Sequence, residues 1–215
     1  MTMRYWLMKS EPSDVSIDDA LAAPNSTVPW VGVRNYQARN FMRDGMQVGD
    51  GVLFYHSSCA EPGIAGLADV ASSAYPDPTQ FDPHSIYFDA KATQENPRWM
   101  LTDIRAVQKT RLISLAELRT HPPLAEMLVL QRGNRLSITP VTKDQWRFIT
   151  QEQRRILRDI HTQNQYTEPD KVAPLLHSLA ALEYANGEPW CDVHPALHKL
   201  LEETAAYDLV ATPSA

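Results

Sequence analysis

Trp30-Val31-Gly32-Val33-Arg34-Asn35-Tyr36-Gln37-Ala38-Arg39-Asn40 carries the densest chemistry in the chain. A glycine beside an aromatic residue lets a backbone come close to a flat ligand. Arg34 and Arg39 suit phosphates, Asn35 and Asn40 suit polar edges, and Tyr36 suits stacking. A helix opening at Asn35 would also aim backbone N–H groups at an anion. The plainer account is a capped amphipathic helix with a buried anchoring tryptophan, and composition alone favours it.

Two neighbouring strings add to this one. Phe54-Tyr55-His56-Ser57 closes a predicted strand. Strand alternation puts two of these side chains on each face, the mixture of apolar wall and polar groups that a pocket rim needs. It equally suits a strand end with its aromatics in the core. Asn96-Pro97-Arg98-Trp99 follows a connection over 74–97 punctuated by prolines. Connections of that length usually carry function. Trp99 after a rigid turn is either a stacking plate or a core residue.

Further out, apolar runs predict strands over 4–8, 51–56, 64–71, 99–109 and 136–138. Ser16 with Asp18 and Asp19 reads as a helix start ending before Pro24, and Asn35 caps a helix through Arg43 with Gly45 as its stop. Ser114 to Glu117 and Thr142 to Gln145 read as capping boxes, the second opening a helix to about 161. Short strands with short helices between them predict an α+β mixed barrel with surrounding helices, not a parallel βαβ sheet. A polar linker over 163–173 and two amphipathic helices over 174–184 and 194–207 form a short helical C-terminal extension.

The chain has 215 residues, 43% of them hydrophobic, which predicts one main domain with an appendage. The net charge of −6 argues against a bulk nucleic-acid binder. The charge is uneven, however. Residues 1–150 hold 15 basic and 16 acidic side chains, whereas 151–215 hold 5 and 10. The larger part is thus nearly neutral and free to present a local basic face. No apolar run reaches the ~18–20 residues of a membrane span, and Met1 to Lys9 does not read as a secretory signal. The expectation is a cytoplasmic protein, nuclear in a host with a nucleus, with no membrane partner.

Two groups of residues suit an enzyme. His56 and Cys59 invite a nucleophile–base pair, but no third group orients them. Cys191-Asp192-Val193-His194 with His198 offers up to four zinc ligands, yet the usual paired-cysteine half is missing. Phosphate-loop, dinucleotide-fold, serine-hydrolase and zinc-protease motifs are absent. The residues thus predict no catalytic group, no metal and no cofactor.

Taken together, the strings are more specific than composition. Trp6 to Pro12, Trp30 to Asn40, Phe54 to Ser57, Glu61-Pro62-Gly63-Ile64-Ala65-Gly66, Tyr75-Pro76-Asp77, Gln80-Phe81-Asp82 and Pro97-Arg98-Trp99 resemble, in order, the signature blocks of the EVE domain. The resemblance covers about residues 3–150. It implies a PUA-like barrel, placed here over residues 1–162; residues 163–215 depart from the family's minimal domain, and their acidity suits a protein partner or a regulatory cover rather than phosphate contact. It also implies a non-catalytic reader of a modified base in nucleic acid, modified cytosine in DNA foremost. The implied pocket comes from Lys9, Ser10 and Glu11; Trp30, Gly32, Val33, Arg34, Asn35 and Tyr36; Phe54, His56 and Ser57; and Pro97 with Trp99. Trp30 and Trp99 would be its walls, and Lys9, Arg34 and Arg39 its contacts to the nucleic-acid backbone. Two other readings stay open: an enzyme acting on a modified nucleobase or small metabolite, and an interaction module using the acidic tail.

Overall fold

The computed structural model describes residues 3–151 of the chain. Strand β1 (Tyr5–Ser10) leads through helix α1 (Ile17–Ala22) and strand β2 (Thr27–Pro29) to helix α2 (Tyr36–Asn40). Strands β3 (Gly51–His56), β4 (Gly63–Val70) and β5 (Tyr75–Pro76) follow. After a long loop come β6 (Met100–Leu101) and β7 (Asp103–Ser114), then α3 (Leu115–Leu118), β8 (Ile138–Val141) and a helix over 143–151. Among these, no helix is long and apolar enough to cross a membrane.

Six strands hydrogen-bond in the order β2-β7-β4-β3-β1-β8, while β5 and β6 form a separate two-stranded ribbon. Only β1 and β3 run parallel; the other neighbours in the six-stranded sheet are antiparallel. The register sets Lys9 beside Tyr55 and Ser10 beside His56, so both parallel strands finish at the same level. Bulges at Phe54/Tyr55 and Ile64/Gly66 bend the sheet near this end. The outer strands, β2 and β8, are three and four residues long.

Local chemistry accounts for most element ends. Ser16 and Asp19 form a reciprocal capping box at α1, and Asn35 Oδ1 accepts the Gln37 and Ala38 N–H groups at α2. The predicted helix to Arg43 changes character at Phe41: residues Phe41–Gly45 make a π-turn, whose cap is Met46 N–H bonded to Phe41 C=O. At α3 the expected box is half made. Ser114 caps Glu117 N–H, but the Glu117 carboxylate pairs with Arg111 instead. Thr142 and Gln145 do bond reciprocally. The last strand lies two residues later than predicted, over Ile138–Val141.

Helix α1 lies on the sheet because Gly66 leaves room for it. A Cβ at Gly66 would sit 2.5 Å from the Ile17 side chain. Trp6, Met8, Ile17, Trp30, Phe54 and Ile104 are among the residues of the resulting core. The chain divides into two compact units, 1–145 and 146–215. Only residues 146–151 of the second are described, and they continue as helix. The expected linker, the two tail helices and Cys191, Asp192, His194 and His198 lie outside the described residues.

Candidate nucleic-acid interface

A cavity of about 820 Å³ opens beyond the ends of β1 and β3, lined from segments 9–15, 28–34 and 57–58 and by Ile86, Tyr87, Arg135 and Ser137. Of the residues expected from sequence, Lys9, Ser10, Glu11, Trp30, Gly32, Val33, Arg34 and Ser57 line it. The strand ends explain the first group. Ser57 N–H donates to Ser10 C=O at 2.8 Å and Ser10 Oγ donates to Val15 C=O, so the turns after β1 and β3 are stitched together. Ser58, beside them, holds a left-handed backbone at φ 53°, strain of the kind found at ligand sites.

The 30–34 loop supplies the opposite wall. Trp30 N–H bonds to Thr102 C=O, and its ring meets Phe54 edge-on at 5.3 Å. Phe54 is wholly buried. It therefore supports Trp30 from behind and does not face the cavity. Gly32 has φ +81°, and a Cβ there would fall 2.6 Å from the Tyr87 ring. Only glycine satisfies both the backbone angle and that approach.

Arg34 has a different task from the one its sequence context suggests. Its five N–H groups point at Asp77, Thr79 Oγ1 and the C=O groups of Val33 and Tyr87, at 2.5–3.2 Å. Its guanidinium also lies 5.3 Å from the Tyr87 ring and 5.5 Å from that of Trp99. It is a fastener between loops, with its donors already engaged. Asp77, fully buried, is the other half: its carboxylate accepts from Gly32 N–H, Arg34, and the Thr79 N–H and hydroxyl. Burial pushes its carboxyl upward, but Arg34, Thr79 and Gly32 outweigh that and hold it below the ordinary value.

Trp99 belongs to the same fastening and does not line the cavity. Gln80 accepts both Arg98 and Trp99 N–H on one oxygen and donates to the Asp77 and Trp99 C=O groups. Trp99 Nε1 donates to Asp89 at 2.7 Å. Tyr36 stacks on Trp99 at 4.9 Å, and its hydroxyl bonds to Arg98. Pro97 precedes this cluster, outside the cavity lining. Arg39 lies over Tyr36 and donates to Arg98 C=O and Asn40 Oδ1, all neutral acceptors. Asn35 is spent on capping α2.

His56 is occupied as well. Its Nε2 accepts Ile17 N–H at 3.0 Å, closing the start of α1. With Nε2 accepting, the ring proton sits on Nδ1, so neither nitrogen is a free base for Cys59. Burial lowers the His56 pKa most; Asp18 and Asp19 oppose this and Lys109 adds to it, leaving the value below 6.5. The unfolded chain then takes up the proton first. The stabilising contribution is complete above about pH 6.5 and is lost as pH falls towards the folded value. Urea midpoints between pH 7.5 and 5 should fall for the wild type more steeply than for His56→Gln, which has no titrating group there. Parallel profiles would remove His56 from the acid response.

Two cavity cations remain without a partner among the described contacts: Lys9, half-buried, and Arg135, exposed. Burial lowers the Lys9 pKa. Arg135, Tyr87, Ile86 and Ser137 had no local sequence signal, beyond the length of the loop that holds Ile86 and Tyr87. Among the described residues, no group of three His, Cys, Asp or Glu could hold a metal ion.

The family model of the EVE domain matches residues 4–152. Thymocyte nuclear protein 1 of Gallus gallus is 44% identical over 167 residues, 69% of this chain and 68% of that protein. A crystal structure of a Pseudomonas putida protein is 49% identical with a TM-score of 0.65, over 68% of this chain and 97% of its own. The crystal structure of the human THYN1 protein in complex with DNA containing 5-methylcytosine is 43% identical, with a TM-score of 0.63, over 68% of this chain and 95% of its own. The order of the sequence blocks and the likeness of the folds thus agree, and the chain belongs to the EVE domain family, with its PUA-like α+β fold.

Proposed function

We propose that this EVE domain binds DNA at the cavity beyond β1 and β3 and reads a modified cytosine drawn out of the duplex, doing no chemistry on it. The cavity carries the reading. Its volume of about 820 Å³ lies within the range of small-ligand sites, and the human THYN1 protein, 43% identical, was crystallised with DNA containing 5-methylcytosine. Trp30 lines the cavity with the 7% of its surface left exposed, and is the aromatic contact assigned to the base. The exposed Glu11 carboxylate is a fitting acceptor for the exocyclic amino group of cytosine. Lys9 and Arg135, rather than Arg34, are the cations left for phosphate. Lys9 has already lost part of its hydration, so pairing it with an anion costs less.

Magnitudes limit the selectivity. A buried methyl group contributes about 0.8 kcal/mol, a few-fold preference, unless the plain base also leaves a polar group unpaired. The non-catalytic reading draws support from His56, whose lone pair serves Ile17 and not Cys59. The domain is assigned to residues 1–162. The acidic segment 163–215, poor in phosphate-binding charge, is assigned to a protein partner, and the site of action to the cytoplasm, or the nucleus of a host that has one.

Fluorescence anisotropy of the full chain tests this with matched duplexes, plain and carrying 5-methylcytosine or 5-hydroxymethylcytosine, over a salt series. A modified duplex should bind several-fold tighter than the plain one at each salt concentration. Lys9→Ala should weaken all duplexes alike and reduce the log–log salt slope by about one. Equal binding of plain and modified duplexes, or none at all, would sink the reader proposal.

A further inference from the structure

Ile86 is 90% exposed, the most exposed large apolar side chain among the described residues, and it stands on the cavity wall beside Tyr87. Val31, also exposed, lines the same cavity. A lone surface aliphatic is ordinary. Two observations set Ile86 apart.

Its mount is fixed. Ser85 N–H bonds to Asp82 C=O, Phe88 N–H to Ser85 C=O, and Tyr87 N–H to Ser85 Oγ. Arg34 donates twice to Tyr87 C=O, Asp89 N–H bonds to Gln80 C=O, and the Tyr87 ring covers Gly32. The flanking acids are also engaged. Asp82 accepts His84 N–H, and Asp89 accepts Lys91 N–H, Trp99 Nε1 and Arg98. The loop therefore presents an apolar tip to the cavity mouth, with its carboxylates satisfied by the protein.

We infer that Ile86 is a wedge that enters the base stack at the position vacated by the base held in the cavity. The inference rests on the proposed function. Extruding a base breaks stacking and pairing on both sides and leaves a gap that water fills poorly. Minor-groove proteins insert isoleucine, leucine or methionine between base steps in this way. The gap adjoins the extruded base, so a wedge must stand beside the pocket on a firm base, as Ile86 does. Its aliphatic surface, exposed in the free protein, is covered in the complex.

The full chain tests this with Ile86→Ala and Ile86→Leu. Three probes are needed: a duplex with 5-methylcytosine, the same strand single-stranded, and a duplex with 2-aminopurine next to the target base. Ile86→Ala should weaken duplex binding about tenfold, or 1.4 kcal/mol, and leave single-strand binding unchanged, because a single strand has no stack to open. The 2-aminopurine brightening seen with wild type should be lost with alanine and restored by leucine. An equal loss on duplex and single strand, or no loss on duplex, overturns the wedge while the reader stands. If the wild type does not separate modified from plain duplex, the reader falls and the wedge with it.

Discussion

Asp77→Ala should cost about 3–5 kcal/mol of folding stability, the range for removing one partner of a buried ion pair. The side chain is small, but what it leaves behind is not. Arg34 keeps its charge with no carboxylate beside it, and Gly32 N–H, Thr79 N–H and the Thr79 hydroxyl lose their acceptor together. The loss should show as a lower urea midpoint at pH 7. Because the folded carboxyl lies below the ordinary 3.8, its contribution is present above that pH and disappears only as the solution is acidified past it. A loss under about 1 kcal/mol would mean that the loops hold without this fastener.

Gly32→Ala should cost about 2–4 kcal/mol, from left-handed strain together with overpacking. The new Cβ would meet ring carbons of Tyr87 at 2.6–2.9 Å. Arg34 restrains Tyr87 twice, bonding to its backbone C=O and lying 5.3 Å from its ring, so moving the ring aside gives up that cation–π contact. The wall of the cavity must then shift, so affinity for modified DNA should fall more than tenfold in the anisotropy assay. Gly32 N–H also bonds to Asp77, so Gly32→Ala and Asp77→Ala combined should cost less than the two separate losses added together. Strict additivity would show that the two residues act independently.

What the sequence disclosed follows from how far apart partners lie along the chain. Ser16 with Asp19 and Asn35 with Ala38 are three residues apart, and both caps were legible. Arg34 was legible as a site residue but not in its task. Its acceptor Asp77 is 43 residues away, and no local pattern tells a paired arginine from a free one. The hydrogen-bond partners of Trp99 were hidden for the same reason. Its backbone N–H and C=O both bond to Gln80, 19 residues back, and its ring Nε1 donates to Asp89. Phe54 sits on a strand whose first five residues are all buried, so alternation did not mark which face was wet. Arg135 and Ile86 reach the cavity from irregular chain, where periodicity carries no information.

The short outer strands have a consequence for how copies of the molecule behave when crowded. A sheet rim with bare N–H and C=O groups is a template on which another chain can add a strand, and from there grow into fibre. Here one rim is β2, three residues closing on Pro29, and the other is β8, four residues containing Pro140. Proline supplies no donor, and so few rungs give an incoming strand little to hold. Among the described residues, the six-stranded sheet thus ends at each rim in a short strand that carries a proline, which disfavours edge-to-edge pairing there.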